Sequence, residues 1–99
     1  MRYSVYITAD ANNDIASIVE YISESCCAPQ AAVNLYNAII GTIRSLEAYA
    51  GIYAPVDYKS LSKYGQKVYR ISCKGFAIVY TIELSTVIVH RIVHGSLIT

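Results

Sequence analysis

Near the start of the chain, Tyr3, Val5 and Ile7 alternate with Arg2, Ser4, Tyr6 and Thr8. A period of two in aromatic and β-branched residues predicts a strand. From Asp10 the period changes. Ala11, Ile15, Ile18, Ile22 and Cys26 follow in steps of four, three, four and four, with Val19 widening the stripe. Asn12, Asn13, Asp14, Ser17, Glu20 and Glu24 hold the other side, so an amphipathic helix with an acidic solvent face is expected. Either Thr8 or Asp10 is placed to cap its start, and Asp14 complements the helix dipole. Ala28-Pro29 ends this helix and opens another. The second runs from about Pro29 to Ala50 on a stripe of Ala32, Leu35, Ile39, Ile43, Leu46 and Ala50, with Gly51 as its expected C-terminal cap. Gly41 inside it costs about 1 kcal/mol relative to Ala, which predicts close packing against a neighbour. So short a turn between two helices makes an antiparallel hairpin.

Residues 51–66 show no clean period and read as a loop that brings Tyr53, Tyr58, Lys59, Lys63 and Tyr64 together. Loops of such length in compact domains often carry function. Three strands finish the chain: Lys67–Cys73, Phe76–Glu83 and Thr86–Val93, joined by tight turns at Lys74-Gly75 and Leu84-Ser85. The last two are apolar on both faces and belong in the middle of a sheet, leaving the first strand and Lys67–Cys73 as edges. The order β-α-α-β-β-β predicts an α+β fold, one domain over residues 1–99. A helical hairpin packs on one face of a mostly antiparallel four-stranded sheet, and the other face is only partly covered.

Composition sharpens this picture. Charged residues make up 15% of the 99, against about 25% in an average soluble protein, and ten are tyrosines. A chain this short buries only about 60–65% of its unfolded surface, so some apolar and tyrosyl area is left for a partner. No apolar run is long enough to span a bilayer, and the N-terminus carries no apolar stretch of signal-peptide length. Three cysteines, two of them adjacent as Cys26-Cys27, do not make a disulfide framework. With no zinc-type spacing either, a reduced cytoplasmic domain without metal or cofactor is expected. The charge is uneven. Residues 1–50 set Arg2 and Arg44 against Asp10, Asp14, Glu20, Glu24 and Glu47, a balance of −3. Residues 51–99 set Lys59, Lys63, Lys67, Arg70, Lys74 and Arg91 against Asp57 and Glu83, a balance of +4. That asymmetry is either a positive face for an anionic partner or a solvated basic loop.

No nucleophile stands beside an evident base, and no glycine-rich phosphate loop occurs. The residues able to carry chemistry lie on the final strands: Arg70, Lys74, His90, Arg91 and His94. Alternation places His90, Ile92 and His94 on one face, with Val89, Arg91 and Val93 on the other. Arg70 shares a side with Val68 and Ser72. An arginine in an apolar strand either contacts an external phosphate or carboxylate or forms an internal ion pair, with Glu83 or Asp57 as partner. Each histidine is either a hydrogen-bonded structural imidazole or an acid–base group.

Several stretches together resemble the RelE/ParE toxin superfamily of bacterial type II toxin–antitoxin systems. They are Asp14-Ile15-x-x-Ile18-x-x-Tyr21-Ile22, Pro29-x-x-Ala32, Ile43-x-Ser45-Leu46-Glu47, Arg70-Ile71, Ile78-x-Tyr80-x-Ile82 and Val87-x-Val89-x-Arg91-Ile92-x-His94. The resemblance covers almost the whole chain and is closer to ParE. Where RelE-like members carry an arginine after the aromatic that opens the second C-terminal strand, Ala77 follows Phe76. No tyrosine lies beyond Tyr80, and no dense basic run is present. ParE-like chains often end on further basic residues, whereas this sequence ends Gly95-Ser96-Leu97-Ile98-Thr99. The resemblance implies a plasmid-stabilisation toxin that inhibits DNA gyrase, is not an enzyme, and is neutralised by a cognate antitoxin, as a homodimer or a heteromer. Arg70, Lys74, Arg91 and His94 would contact the partner. A RelE-like alternative is a ribosome-dependent mRNA endoribonuclease with Arg70, Arg91 and His94 at the scissile phosphate. A third is an antitoxin-binding module without toxicity.

Overall fold

Thr8 is the point where strand gives way to helix. Its hydroxyl accepts from the Ala11 amide at 3.2 Å, capping the new helix, and donates to the Val89 carbonyl at 2.9 Å. Its own amide donates to the same carbonyl at 3.1 Å. Of the two candidate caps, Thr8 serves and Asp10 sits in the first turn. The computed structural model describes residues 2–53, 64 and 67–94. Its elements are β1 (Ser4–Ile7), α1 (Ala9–Glu20), a π-helical turn (Tyr21–Ser25), α2 (Pro29–Tyr49), a 3-10 turn (Ala50–Ile52), β2 (Tyr69–Cys73), β3 (Phe76–Glu83) and β4 (Thr86–His94). Among the described residues no helix is long and apolar enough to cross a membrane.

The strands order as β1-β4-β3-β2. β1 runs parallel to β4, and the other two pairings are antiparallel. The two strands that are apolar on both faces therefore take the centre, and β1 and β2 the edges, as expected. The helical hairpin covers one face. Ala11 and Ile15 of α1 and Ala32, Ile39, Ile43 and Leu46 of α2 are buried, the inner stripe that the period requires. Most of them meet Ile78, Tyr80, Val87, Val89 and Ile92 from the sheet. Tyr80 is fully buried, and its hydroxyl donates to the Ala50 carbonyl at 3.0 Å, tying the end of the hairpin to the middle of the sheet. Burial, and then the neighbouring Tyr53, Tyr69 and Tyr3, push its phenol well above the usual tyrosine range.

Three local expectations change. The stripe of α1 does not reach Cys26, which is exposed. The wider π turn, with the Cys26 amide donating to the Tyr21 carbonyl at 3.1 Å, breaks the α period before it. Gly51 is not a left-handed cap. The 3-10 turn carries the helix past it, and its bare Cα lets the Tyr3 hydroxyl approach, where a Cβ would collide. Gly41 is exposed, with nothing within 4 Å of where a Cβ would stand, so no close packing accounts for it. The outer sheet face has a small core of its own, in which Val68, Ala77 and Val79 are buried against Tyr64 and Val93. Its cover is partial, as expected, and toward β1 the face is open, with Tyr6 60% exposed.

Truncating Ile39 to Ala should cost about 2–5 kcal/mol. The same change at exposed Asn37 should cost less than about 0.5 kcal/mol. Gly41→Ala should stabilise by roughly 0.5–1 kcal/mol, because it adds helix propensity into open space. Chemical denaturation of the three variants checks the phase of α2, and equal midpoints for Ile39→Ala and Asn37→Ala would refute it.

Candidate functional site

The central feature is a break in register between β3 and β4. Val79 faces Arg91, but Tyr80 faces Val89, so β4 carries one extra residue at His90. Such a bulge re-aims the side chains around it. Val89 and Ile92, three apart, both reach the main core. The alternation expected for this strand is therefore broken at His90. His94 keeps the face of Ile92, but His90 leaves it. His90 shares a 2.8 Å hydrogen bond with the Thr81 hydroxyl and stacks on Tyr64, with ring centroids 4.8 Å apart. Desolvation lowers its pKa below the ordinary histidine value, against a smaller opposing pull from Glu83. His94 tilts against Phe76 at 4.6 Å and is exposed.

Arg91 turns to α1. Its Nε donates to Asp14 Oδ2 at 2.7 Å and its second guanidinium nitrogen to Oδ1 at 3.0 Å, a two-pronged pair. The Ile92 amide also donates to Asp14 Oδ2, at 2.9 Å. The cause lies in the topology. β1 stops at Ile7, opposite Val89, so the outer edge of β4 loses its strand partner just there. The helix that follows brings a carboxylate to that edge. Asp14, expected on the solvent face of α1, is thus largely enclosed, its side chain 16% exposed against 38% for Arg91. The hydrogen bonds to Asp14, and then its charge, raise the Arg91 pKa further, with Tyr64 contributing.

The other cations are placed differently. Arg70, Val79 and Arg91 stand in one cross-strand row over β2, β3 and β4. The Arg70 Nε is buried and has no hydrogen-bond partner among the described residues. Neither Arg70 nor Arg91 pairs with Glu83 among the described residues, and Asp57 lies outside them. Lys74 sits exposed at the β2–β3 turn with φ 51°, beside Ala31, Asn34 and Leu35 of α2. Lys74 and His94 share one end of the sheet. There His94 borders an apolar cavity of about 430 Å³ lined by Ser17, Ile18, Tyr21, Ile22 and Phe76. The loop residues expected together are divided: Tyr53 packs on the main core and Tyr64 on the outer one. Tyr58, Lys59 and Lys63 lie outside the described residues. Among the described residues no three His, Cys, Asp or Glu side chains gather as metal ligands. Sequence reasoning missed Asp14 as a site residue. The available signal was a carboxylate one turn into a helix that directly follows a short edge strand.

The family described as ParE toxin of type II toxin–antitoxin system, parDE, matches residues 5–98. A solved structure titled as the chromosomal ParDE toxin–antitoxin system from P. aeruginosa superposes with a TM-score of 0.73. It is 17% identical and covers 94% of this chain and 96% of that one, which establishes the shared fold. No curated protein matches by sequence.

Asp14→Ala should destabilise by about 1.5–3 kcal/mol, since it strands both Arg91 and the Ile92 amide. Arg91→Lys, which keeps charge but loses the fork, should cost less. Asn13→Ala, exposed on the same helix, is the comparison, and an equal denaturation midpoint for Asp14→Ala would refute the link. For His90 the sign follows from its lowered pKa. Above the unfolded value of about 6.5 the ring is neutral in both states. As pH falls below that, the unfolded chain takes up the proton first, so stability is lost down through the lower folded pKa. His90→Gln should therefore lose less stability than the unaltered chain between pH 7.5 and pH 5 when both are followed by denaturation. An equal loss would overturn this.

Proposed function

This chain belongs to the ParE toxin family of type II toxin–antitoxin systems, and we propose that it inhibits DNA gyrase and is neutralised by a cognate antitoxin. The observation carrying the choice of inhibitor over ribonuclease is the engagement of Arg91. Its fork is filled by Asp14, so one of the two arginines that an endoribonuclease would aim at a scissile phosphate is already neutralised within the fold. Ala77, at the position where RelE-like members place an arginine, is fully buried in the outer core and offers no charge. A gyrase target places the protein in the cytoplasm.

Antitoxin binding is assigned to the remaining candidate cations of the final strands, Arg70 and Lys74, with His94 at the same end of the sheet as Lys74. A buried Nε–H without an acceptor among the described residues is an expensive state, and a carboxylate from an acidic segment would relieve it. A charge-poor surface bearing Tyr21, Tyr36 and Tyr49, each more than 40% exposed, also suits a protein partner.

Expression without the antitoxin should arrest growth, and the purified chain should block supercoiling by gyrase while leaving ribosome-bound mRNA intact. Cleavage of that mRNA with normal supercoiling would replace this reading with the ribonuclease. Arg70→Met should leave thermal stability unchanged or raised, because it deletes an unsatisfied donor, while weakening antitoxin binding about tenfold or more. Unchanged affinity in a calorimetric titration would move the contact elsewhere.

A further inference from the structure

The adjacent thiols of Cys26 and Cys27 have no part in the site described above. Both are free and exposed, whereas the third cysteine, Cys73, is buried. They close the π-helical turn at the joint between the two helices. There the Cys27 amide donates to the Glu24 carbonyl at 3.3 Å and the Ala28 amide to the Ile22 carbonyl at 3.1 Å. This resembles a Schellman closure with its outer hydrogen bond one residue wider, and Cys27 takes the left-handed position with φ 51°. Glycine is the favoured residue at such a position, and a side chain there costs about 1 kcal/mol or more. The Cys27 thiol is anchored locally, donating to the Glu24 carbonyl at 3.6 Å.

We propose that Cys26 and Cys27 form a two-thiol site for trivalent organoarsenic of the neutral R–As=O class. Soft sulfur ligands select soft, thiophilic centres. Among the described residues no third His, Cys, Asp or Glu completes a metal cluster, so the tetrahedral set that zinc requires is missing. An arsenic(III) centre that already bears one organic group needs only two sulfurs. The surroundings select for neutral reagents. Between Arg2 and Arg44 there is no Lys or Arg, while Glu20 and Glu24 stand exposed within one or two turns of the thiols. An anionic electrophile is repelled there, and a neutral arsenoxide is not.

The chemistry is a condensation. Two As–S bonds form, the As=O bond and two S–H bonds break, and both thiol protons leave with the oxygen as water. Arsenic stays trivalent, and no electron acceptor is required. Once the first sulfur is attached, the second attacks at high effective concentration because it is one residue away. The closed ring then runs through the Cys26–Cys27 peptide bond and restrains the φ of Cys27, the left-handed residue of the joint between α1 and α2.

The probe is phenylarsine oxide added to the full chain, followed by intact mass and by titration. One adduct per chain is expected, with one water lost, surviving excess monothiol and removed by a 1,2-dithiol. Cys26→Ser and Cys27→Ser should each bind about a hundredfold or more weakly. Cys27→Gly, which keeps the turn in a conformation glycine prefers, should lose the adduct equally while remaining folded. The proposal fails if the unaltered chain forms no dithiol-reversible adduct, or if any of the three variants binds within about tenfold of it.

Discussion

The carboxylate of Asp14 is the constraint on which the sheet and the first helix jointly depend. It accepts three hydrogen bonds, two from the Arg91 guanidinium and one from the Ile92 amide. β1 is only four residues long and leaves the outer edge of β4 without a strand partner beyond Val89. An exposed ladder edge is a liability for pairing with other chains, and here a side chain from the next helix terminates it. The same contact offsets the charge of the arginine that the bulge turns aside. Thr8 anchors the start of that helix to the carbonyl of Val89, so the two polar groups fix both the position and the rotation of α1 on β4.

With α1 fixed, the rest of the packing follows. The bulge at His90 lets Val89 and Ile92 both enter the main core, and sends His90 to the outer face beneath Tyr64. That stacking, with Val68, Ala77, Val79 and Val93, closes part of the face that the helices do not reach. On the inner face, Tyr80 links the sheet to the carbonyl of Ala50, one of the orphan acceptors at the end of α2. Two unequal cores thus share one sheet, and β3 contributes to both. Its six consecutive buried residues, Phe76 to Thr81, are the consequence.

This arrangement separates cations that look equivalent along the chain. Arg91 serves the fold, whereas Arg70 in the same cross-strand row keeps a buried donor without an acceptor among the described residues, and Lys74 is exposed at the turn. Among the described residues, Arg70 and Lys74 lie on β2 and its turn, away from the acidic outer side of α1. A ParE family toxin so built presents two chemically distinct surfaces, one cationic along the sheet and one acidic with vicinal thiols at the helical joint.

Much of the fold was legible in the sequence because it depends on local periodicity. The period of two in Tyr3, Val5 and Ile7, the inner stripe from Ala32 to Ala50, and the doubly apolar β3 and β4 determine element types, the helical hairpin and which strands lie centrally. The site was less legible. Lys74 at its turn and Arg70 beside Val68 could be placed from pattern alone. The bulge could not, because one inserted residue in β4 is defined only against its partner β3. The pairing of Arg91 with Asp14 joins residues 77 apart in the chain. Asp14 reads as a solvent-facing helix residue until β1 is known to stop short and run parallel to β4. Periodicity states which side of its own element a residue occupies. What stands opposite that side is decided by the meeting of elements, where an unpaired amide and an arginine without a neighbour select the nearest carboxylate.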